Sequence, residues 1–406
     1  MATLKTMLHE YGQLQLLENL TRLPQPLLDD LADIDWEKVG KELKLIKAPT
    51  TRFSSLQPID ARRESAIPHP ASLLKGRILG CIVMAGGQAT RLNGSLPKGL
   101  IPVSPITHKP TLQMIAEKVL GCSKAYNTTF YLGIMTSDAS HEKIEQFFAS
   151  HNYFGLPENT FSLFRQESLP ALDEAGQLII KDGKLFKVPD GNGSVFRAFS
   201  SSLSCKVWEK AGVEFVSIIN SDNPLIDPFL PNMFEPLLHG TEMTAAAVER
   251  SSENELVGLF VQKDNKEFVA EYSELDPALY SAKDSSNNLL FKWANISFFA
   301  CTLEACMKAA KNNLPLHMAK KFLNGTSFLK AEYFVFDHCP LMSSFRIVPI
   351  ERDFFAPIKT LQGPSSPEAV GRILLDRDKK RYSKIFKKTA PADLELPEEA
   401  YYTNPE

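Results

Sequence analysis

Met84-Ala85-Gly86-Gly87, closing an apolar run that opens at Ile78, constrains this chain more than any other segment. An apolar strand that stops at paired glycines can turn sharply and bring its N–H groups close to a ligand without Cβ obstruction. Arg91 follows, and then Leu96-Pro97-Lys98-Gly99. A rigid guanidinium fork and a compact ammonium are the cations expected around a polyphosphate, where they neutralise charge that grows in a transition state. A tight βα turn with surface cations is the alternative. The segment has neither the GxxxxGK[ST] of a Walker loop nor the GxGxxG of a dinucleotide fingerprint, so a different kind of nucleotide loop remains.

Composition sets the frame for that loop. At about 150 residues per domain, 406 residues suggest two to three domains. With 44% hydrophobic and 23% charged residues the chain is an ordinary globular one, not a disordered one. A net charge of −3 supplies no global field for nucleic acid or an anionic membrane, so phosphate binding must be local. The cysteines Cys81, Cys122, Cys205, Cys301, Cys306 and Cys339 are scattered, with no CxxC pair and no histidine at metal-ligand spacing, which predicts free thiols in a reducing compartment. The first ten residues lack the apolar core of a signal peptide, and Ile78 to Ala85 falls far short of the roughly 20 residues a bilayer needs. The expectation is a cytoplasmic protein with no membrane and no nucleic-acid partner.

Along the chain, residues 1–73 read as a helical preface, with Leu14, Leu16, Leu17, Leu20, Leu23, Leu27, Leu28 and Leu31 at three- and four-residue steps, broken by Pro24 and Pro26. A stretch containing Ser54, Ser55, Pro58, Pro68 and Pro70 reads as an irregular connection onto the next unit. From about residue 74 short apolar runs alternate with helical periodicity, the signature of an α/β fold with a mostly parallel sheet. Strands are expected at Ile78 to Met84, Phe130 to Met135, Thr160 to Phe164 and Phe215 to Ile219, and helices through Leu112 to Leu120, entered at Pro110, and His141 to Ser150. Asp182-Gly183 predicts one hairpin, a possible lid or floor, and Asp264-Asn265 a second. The strand at Phe215 ends in Asn220-Ser221-Asp222-Asn223, and polar residues at the carboxyl end of an apolar strand are where open α/β sheets put their ligands. Arg372 to Lys388 is strongly basic and reads as a solvated helix face ahead of an acidic tail. The organisation expected is residues 1–73, a catalytic unit over 74–362 and a C-terminal segment over 363–406.

The loop at Met84 to Gly99 resembles the activation loop of sugar-1-phosphate nucleotidyltransferases, and within them the eukaryotic-type UDP-sugar pyrophosphorylases. Further blocks are similar to that family in the same order: Gln166 with Leu169-Pro170-Ala171, Pro189-Asp190-Gly191-Asn192-Gly193, Ser221-Asp222-Asn223, Glu271-Tyr272-Ser273-Glu274 and Phe354-Phe355-Ala356-Pro357-Ile358-Lys359. The resemblance implies a Rossmann-like (GT-A-like) nucleotidyltransferase fold. It implies that Ala85, Gly86 and Gly87 hold the nucleotide, that Arg91 meets the triphosphate, and that Lys98 and Lys359 meet the reacting phosphates from opposite sides. Gln166 and Gly191 would face the uracil, Asp222 would ligate Mg²⁺, and Asn192, Gly258, Glu271 and Asn295 would surround the sugar.

These types suit those tasks: an amide offers both donor and acceptor to a base edge, and magnesium takes one or two carboxylates plus phosphates and waters. A surface amide for Gln166, a helix cap for Asp222, a solvent-facing Glu271 and an exposed loop lysine for Lys359 are the structural alternatives. Phe334 and Phe336 match the family's aromatic pair and, as alternate residues on a strand, would share one face; an ordinary core face is the alternative. Ala89 replaces the family's usual glycine, and Lys292-Trp293-Ala294-Asn295 keeps one asparagine of the family's Asn-Ala-Gly-Asn. The implied activity joins UTP and a hexose 1-phosphate, foremost N-acetylglucosamine 1-phosphate, to give UDP-sugar and pyrophosphate. Glucose 1-phosphate or a broad sugar range is the alternative within the class. Outside it stand a glycosyltransferase, which usually needs Asp-x-Asp, and a silent UDP-sugar sensor, which would be expected to lack Arg91, Lys98 or Asp222.

Overall fold

The computed structural model describes residues 2–47, 53, 55–59, 71–87, 96–323 and 326–402. Ten described strands form the main sheet. Its nucleotide half is parallel: Leu79–Met84 lies between Phe130–Thr136 and Phe215–Asn220, and Phe161–Arg165 extends it beyond Phe130–Thr136. The other half is antiparallel and is organised on the long strand Trp293–Thr302, which pairs with Phe215–Asn220, Met243–Glu249 and Leu259–Lys263. Phe345–Pro349 runs parallel to Met243–Glu249, which makes the sheet mixed.

The continuous apolar run of the first strand is explained by burial on both faces. Leu79, Cys81 and Val83 join a core with Leu112, Ile115 and Val119 of helix Thr111–Tyr126, whereas Ile82 and Met84 join another with Phe196, Phe199 and Trp208. Helix His141–Ser150 has the expected bounds, and Pro110 sits at the N-cap of Thr111–Tyr126. Both hairpins form as the turn chemistry predicts, with φ of 52° and 72° at Asp182 and Gly183 and of 52° and 59° at Asp264 and Asn265. All six cysteines are buried and free. No described helix is long and apolar enough to cross a membrane.

The N-terminal helices end at Lys47. Leu27 and Leu31 of helix Gln25–Asp33 bury themselves against Leu172, Leu178 and Leu185, so the first hairpin is covered by the preface instead of standing free as a lid. Buried Gln13 fastens that contact, donating to the Gly176 carbonyl at 2.9 Å and accepting from the Leu178 N–H at 2.8 Å. Of the connection that follows, Ser54, Pro68 and Pro70 lie outside the described residues, while Gln57–Pro58 adds a short antiparallel edge to Leu259–Lys263.

The basic segment presents Arg372, Lys380, Lys384, Lys387 and Lys388 to solvent as expected, but its other face is buried. Helix Pro367–Phe386 buries Val370 and Leu374 against Val103, Met114, Leu225 and Ile358. Arg377 pairs with Glu398 at 2.9 Å and Asp378 at 3.0 Å, and buried Lys118 donates to the carbonyls of Pro224 (2.6 Å) and Ile226 (2.7 Å). The acidic tail neutralises the inward cations, which charge counting along the chain could not locate.

Glu42 of helix Trp36–Lys47 is fully buried, and neither carboxyl oxygen has a hydrogen-bond partner among the described residues. Burial, weakly opposed by Lys38, raises its pKa from 4.5 to about 8. A carboxyl that ionises later folded than unfolded favours the fold below pH 4.5, and that contribution is lost as pH rises towards 8. Glu42→Gln is therefore expected to flatten the decline of unfolding free energy across that window, by up to about 1.4 kcal/mol per pH unit. Denaturant melts of both proteins at stepped pH measure it; identical slopes would exclude a neutral buried Glu42.

Candidate active site

The phosphate end of the site is built where the parallel strands stop. Ala85 N–H donates to the Met135 carbonyl at 2.8 Å, Ser137 Oγ donates to the Gly86 carbonyl at 2.9 Å, and Lys98 N–H returns to the Gly87 carbonyl at 3.4 Å. The chain thus leaves and re-enters the sheet edge at one point. Arg91 and the substituted Ala89 lie between, outside the described residues.

Lys98 opens a short 3₁₀ turn after Pro97, and its Nζ meets Asp222 Oδ2 at 2.6 Å. Asp222 follows strand Phe215–Asn220, and its carbonyl accepts from Ile358 N–H at 2.8 Å. The next residue clamps the same loop: Asn223 donates to the Phe354 carbonyl at 2.8 Å and accepts from Ala356 N–H at 3.1 Å. Lys359 is thereby delivered, half-buried, beside this pair. Burial pulls its pKa down and nearby Lys98 adds to that, while Asp222, Glu255 and Glu271 pull the other way. Lys98 is paired with Asp222 and Lys359 lies within electrostatic reach of it, so two ammonium groups gather near one carboxylate. No cluster of three or more metal-ligating side chains exists among the described residues. A single carboxylate suits a hard divalent cation whose other oxygens come from phosphates and water, so the donor set fits magnesium.

At the end of the site where uracil is expected, Gln166 is buried, its N–H bound to the Thr136 carbonyl at 2.9 Å. Its Nε2 points to Asp190 Oδ1 (3.4 Å) and the Gly191 carbonyl (3.5 Å). A Cβ on Gly86 would overlap the Gln166 amide oxygen, so a side chain there would push the Gln166 amide out of its place. Gly191, at φ 95°, lies with its Cα against the backbone of Tyr333, which leaves no room for a side chain. Asp190 is wholly buried between Ser194 Oγ (2.7 Å) and Arg197 Nη2 (3.3 Å). Burial raises its pKa to about 6 against the pull of both.

The end where the sugar is expected joins three segments. Gly258 packs against Val269 and the Glu271 carboxyl, and its carbonyl accepts from Asn295 N–H at 2.9 Å. Asn295 Oδ1 accepts from Ser297 N–H at 3.0 Å, inside a bulge where Ala246 faces three residues of the long strand and Ser297 takes φ 55°. Asn192 Oδ1 accepts from Val335 N–H at 3.0 Å and ties the base loop to the aromatic pair. Glu271 is half-buried instead of solvent-facing, and burial, reinforced by Glu274 and opposed by Lys359 and His317, raises its pKa to about 7.

Phe334 and Phe336 do not lie on a strand as expected. Phe334 caps the 3₁₀ segment Val335–Leu341, because the loop must turn to follow the Asn192 and Tyr333 contacts, yet the two rings still stack at 4.9 Å and 26°. The expected residues therefore fall into three groups: Lys98 paired with Asp222, with Lys359 nearby; Gly86, Gln166 and Gly191; Gly258, Glu271 and Asn295. Asn223 and Asp190 were not singled out from sequence, although each sits inside a block that was quoted for its neighbours.

The family model for UTP--glucose-1-phosphate uridylyltransferase matches residues 32–380. The chain belongs to this family. Among curated relatives of the uridylyltransferase family, UDP-N-acetylglucosamine diphosphorylase 2 of Arabidopsis thaliana is 32% identical over 323 residues, covering 73% of this chain and 64% of that protein. UDP-N-acetylglucosamine pyrophosphorylase of Saccharomyces cerevisiae is 32% identical over 322 residues, covering 72% and 66%. The chain thus spans about two thirds of these relatives' lengths. Its fold is that of solved members: the Trypanosoma brucei uridine diphosphate N-acetylglucosamine pyrophosphorylase superposes with a TM-score of 0.76 at 24% identity, covering 94% of this chain and 86% of that one. A Leishmania major UDP-glucose pyrophosphorylase variant gives 0.64 at 14% identity, covering 81% and 74%.

Asn223→Ala would leave the Phe354 carbonyl and Ala356 N–H without their partner. A loss of about 1–3 kcal/mol is expected in denaturant unfolding, with faster proteolysis of the Lys359 loop. A variant as stable and as protease-resistant as the parent would exclude the clamp.

Proposed function

We propose that this protein is a uridylyltransferase that makes UDP-N-acetylglucosamine and pyrophosphate from UTP and N-acetylglucosamine 1-phosphate. The observation that carries this reading is the Lys98–Asp222 pair at the carboxyl ends of the parallel strands, with Lys359 held beside it by the contact of Ile358 with Asp222. The relatives named above support the choice of sugar. We assign the catalytic unit to residues 74–362 and, because its cysteines are unpaired, place the protein in the cytoplasm.

In this reading a phosphate oxygen of the sugar phosphate attacks the α-phosphorus of UTP in line. The new P–O bond forms as the bond to the β-phosphate oxygen breaks, and pyrophosphate leaves with that electron pair. The attacking phosphate is already ionised, so no catalytic base is required. Lys98 and Lys359, with Arg91, neutralise the charge on the two phosphates and hold them in line. Asp222 would hold Mg²⁺, which when bound polarises the phosphate oxygens and offsets their charge. Gln166 and the Gly191 backbone orient the uracil, while Gly258, Glu271, Asn295 and Asn192 surround the sugar. A glucose or broader preference is the second reading, favoured by Lys292 and Trp293 where the family pattern has its first asparagine and the residue after it.

Pyrophosphate release from UTP paired separately with the 1-phosphates of N-acetylglucosamine, glucose and galactose tests the proposal. Release is expected first with N-acetylglucosamine 1-phosphate; none with any sugar would overturn the enzyme reading in favour of a sensor. Lys98→Ala should lower kcat/KM at least about tenfold, and unchanged turnover in a folded variant would remove Lys98 from the chemistry. Glu271 accepts stronger hydrogen bonds from sugar hydroxyls, and at both oxygens, when it is ionised. With its pKa near 7, the KM for sugar phosphate should climb as pH falls below 7, and Glu271→Gln should lose that component. Parallel pH profiles for the two proteins would refute the contact.

A further inference from the structure

His317 stands at the base of the hairpin His317–Leu323 and Thr326–Glu332, paired with Glu332, and no block of the family resemblance contains it. Its ring is half-buried and both nitrogens are taken: Nδ1 meets Glu274 Oε1 at 2.8 Å and Nε2 meets Asp337 Oδ2 at 2.9 Å. Burial lowers its pKa, but the two carboxylates overcome that and hold it up to about 10, so the ring is an imidazolium at neutral pH. Each acid reaches one wall of the sugar site. Glu274 Oε2 accepts from the Glu271 N–H at 3.3 Å, and Asp337 N–H bonds back to the Phe334 carbonyl at 3.2 Å. The imidazolium ring also lies against the aromatic pair, tilted at 42° to Phe334 (4.6 Å) and edge-on at 67° to Phe336 (6.4 Å).

We infer that His317 is the positioning residue of the sugar pocket, a cationic rivet between Glu274 and Asp337 that sets the Glu271 carboxylate against the stacked Phe334 and Phe336 rings. The inference rests on the proposed UDP-sugar site. Those walls come from segments far apart in sequence, the turn after strand Lys266–Ala270 and the 3₁₀ segment Val335–Leu341. Two charge-assisted hydrogen bonds from one planar ring hold them at a defined separation in a half-buried setting. Glutamine in its place keeps an amide but has neither the charge nor two opposed donors. Among the described residues the side-chain hydrogen bonds of His317 go to Glu274 and Asp337, so its loss should be felt by the sugar alone.

Calorimetric titration of wild-type protein and His317→Gln with UDP-N-acetylglucosamine and, separately, with UDP tests this without requiring turnover. The variant should bind UDP-N-acetylglucosamine at least about tenfold more weakly and UDP within about twofold of wild type. In a pyrophosphate-release assay the KM for sugar phosphate should rise while the KM for UTP stays. Asp337→Asn should reproduce part of the effect, and its combination with His317→Gln should add less than the two single changes, because both cut one tie. Equal weakening of both ligands, an unchanged UDP-sugar affinity, or fully additive effects would each overturn the inference while leaving the enzyme reading intact. Wild-type protein that gains nothing from the sugar moiety would overturn the sugar site itself, and the inference with it. Thermal melts of the single variants separate a folded protein with a loosened pocket from an unfolded one.

Discussion

Parallel register at the centre of the sheet governs the site, because it sets Met84 beside Met135 on one side and Asn220 on the other. Parallel strands in register end along one edge, so the loops that follow must leave side by side. The pairing continues past the strands: Ala85 bonds to Met135, Gln166 to Thr136 and Ser221 to Met84. The glycine loop, Gln166 and the Asp222 turn are therefore brought to one edge by backbone hydrogen bonds that continue the strand pairing. A one-residue slip would turn the two buried faces of Leu79–Met84 inside out, and burial on both faces makes such a slip costly.

The antiparallel half supplies what that edge lacks. The bulge near Ser297 bends the long strand and brings Asn295 beside Gly258, while the loop after strand Phe345–Pro349 is stitched by Asn223 and Asp222 so that Lys359 approaches from the far side. Charges alternate across the result. Lys98 and Lys359 flank Asp222, and Lys359 also feels Glu271, whose titration lies close to neutrality because it is buried near Glu274. A protein with a net charge of −3 can thus present local positive charge to a triphosphate without a basic surface.

Much of the fold was legible from periodicity. Runs such as Ile78 to Met84 and Phe215 to Ile219 are buried on both faces and so are apolar throughout, and helix His141–Ser150 carries its own boundary signals. The turns at Asp182-Gly183 and Asp264-Asn265 were legible for an equally local reason, their need for positive φ. Less visible were features with distant partners. Phe334 and Phe336 alternate as strand residues would, but their segment is drawn into a 3₁₀ turn by Asn192 and Tyr333. The arginines of helix Pro367–Phe386 look solvated until Glu398 is folded back on Arg377.

Sequence alone determined which side chains could handle a nucleotide: paired glycines after an apolar strand, lysines and an acid at strand ends, an amide for a base edge. Those follow from local backbone freedom and side-chain chemistry, which adjacent residues carry with them. Tertiary structure alone decided which of them meet, that the Gln166 amide lies over Gly86, that Asn223 holds the Lys359 loop, and that His317 sits between Glu274 and Asp337. The physical reason is that hydrogen bonds and ion pairs act over a few ångströms, whereas these partners are separated along the chain and become neighbours only through the pairing of strands and the burial of both faces of one sheet.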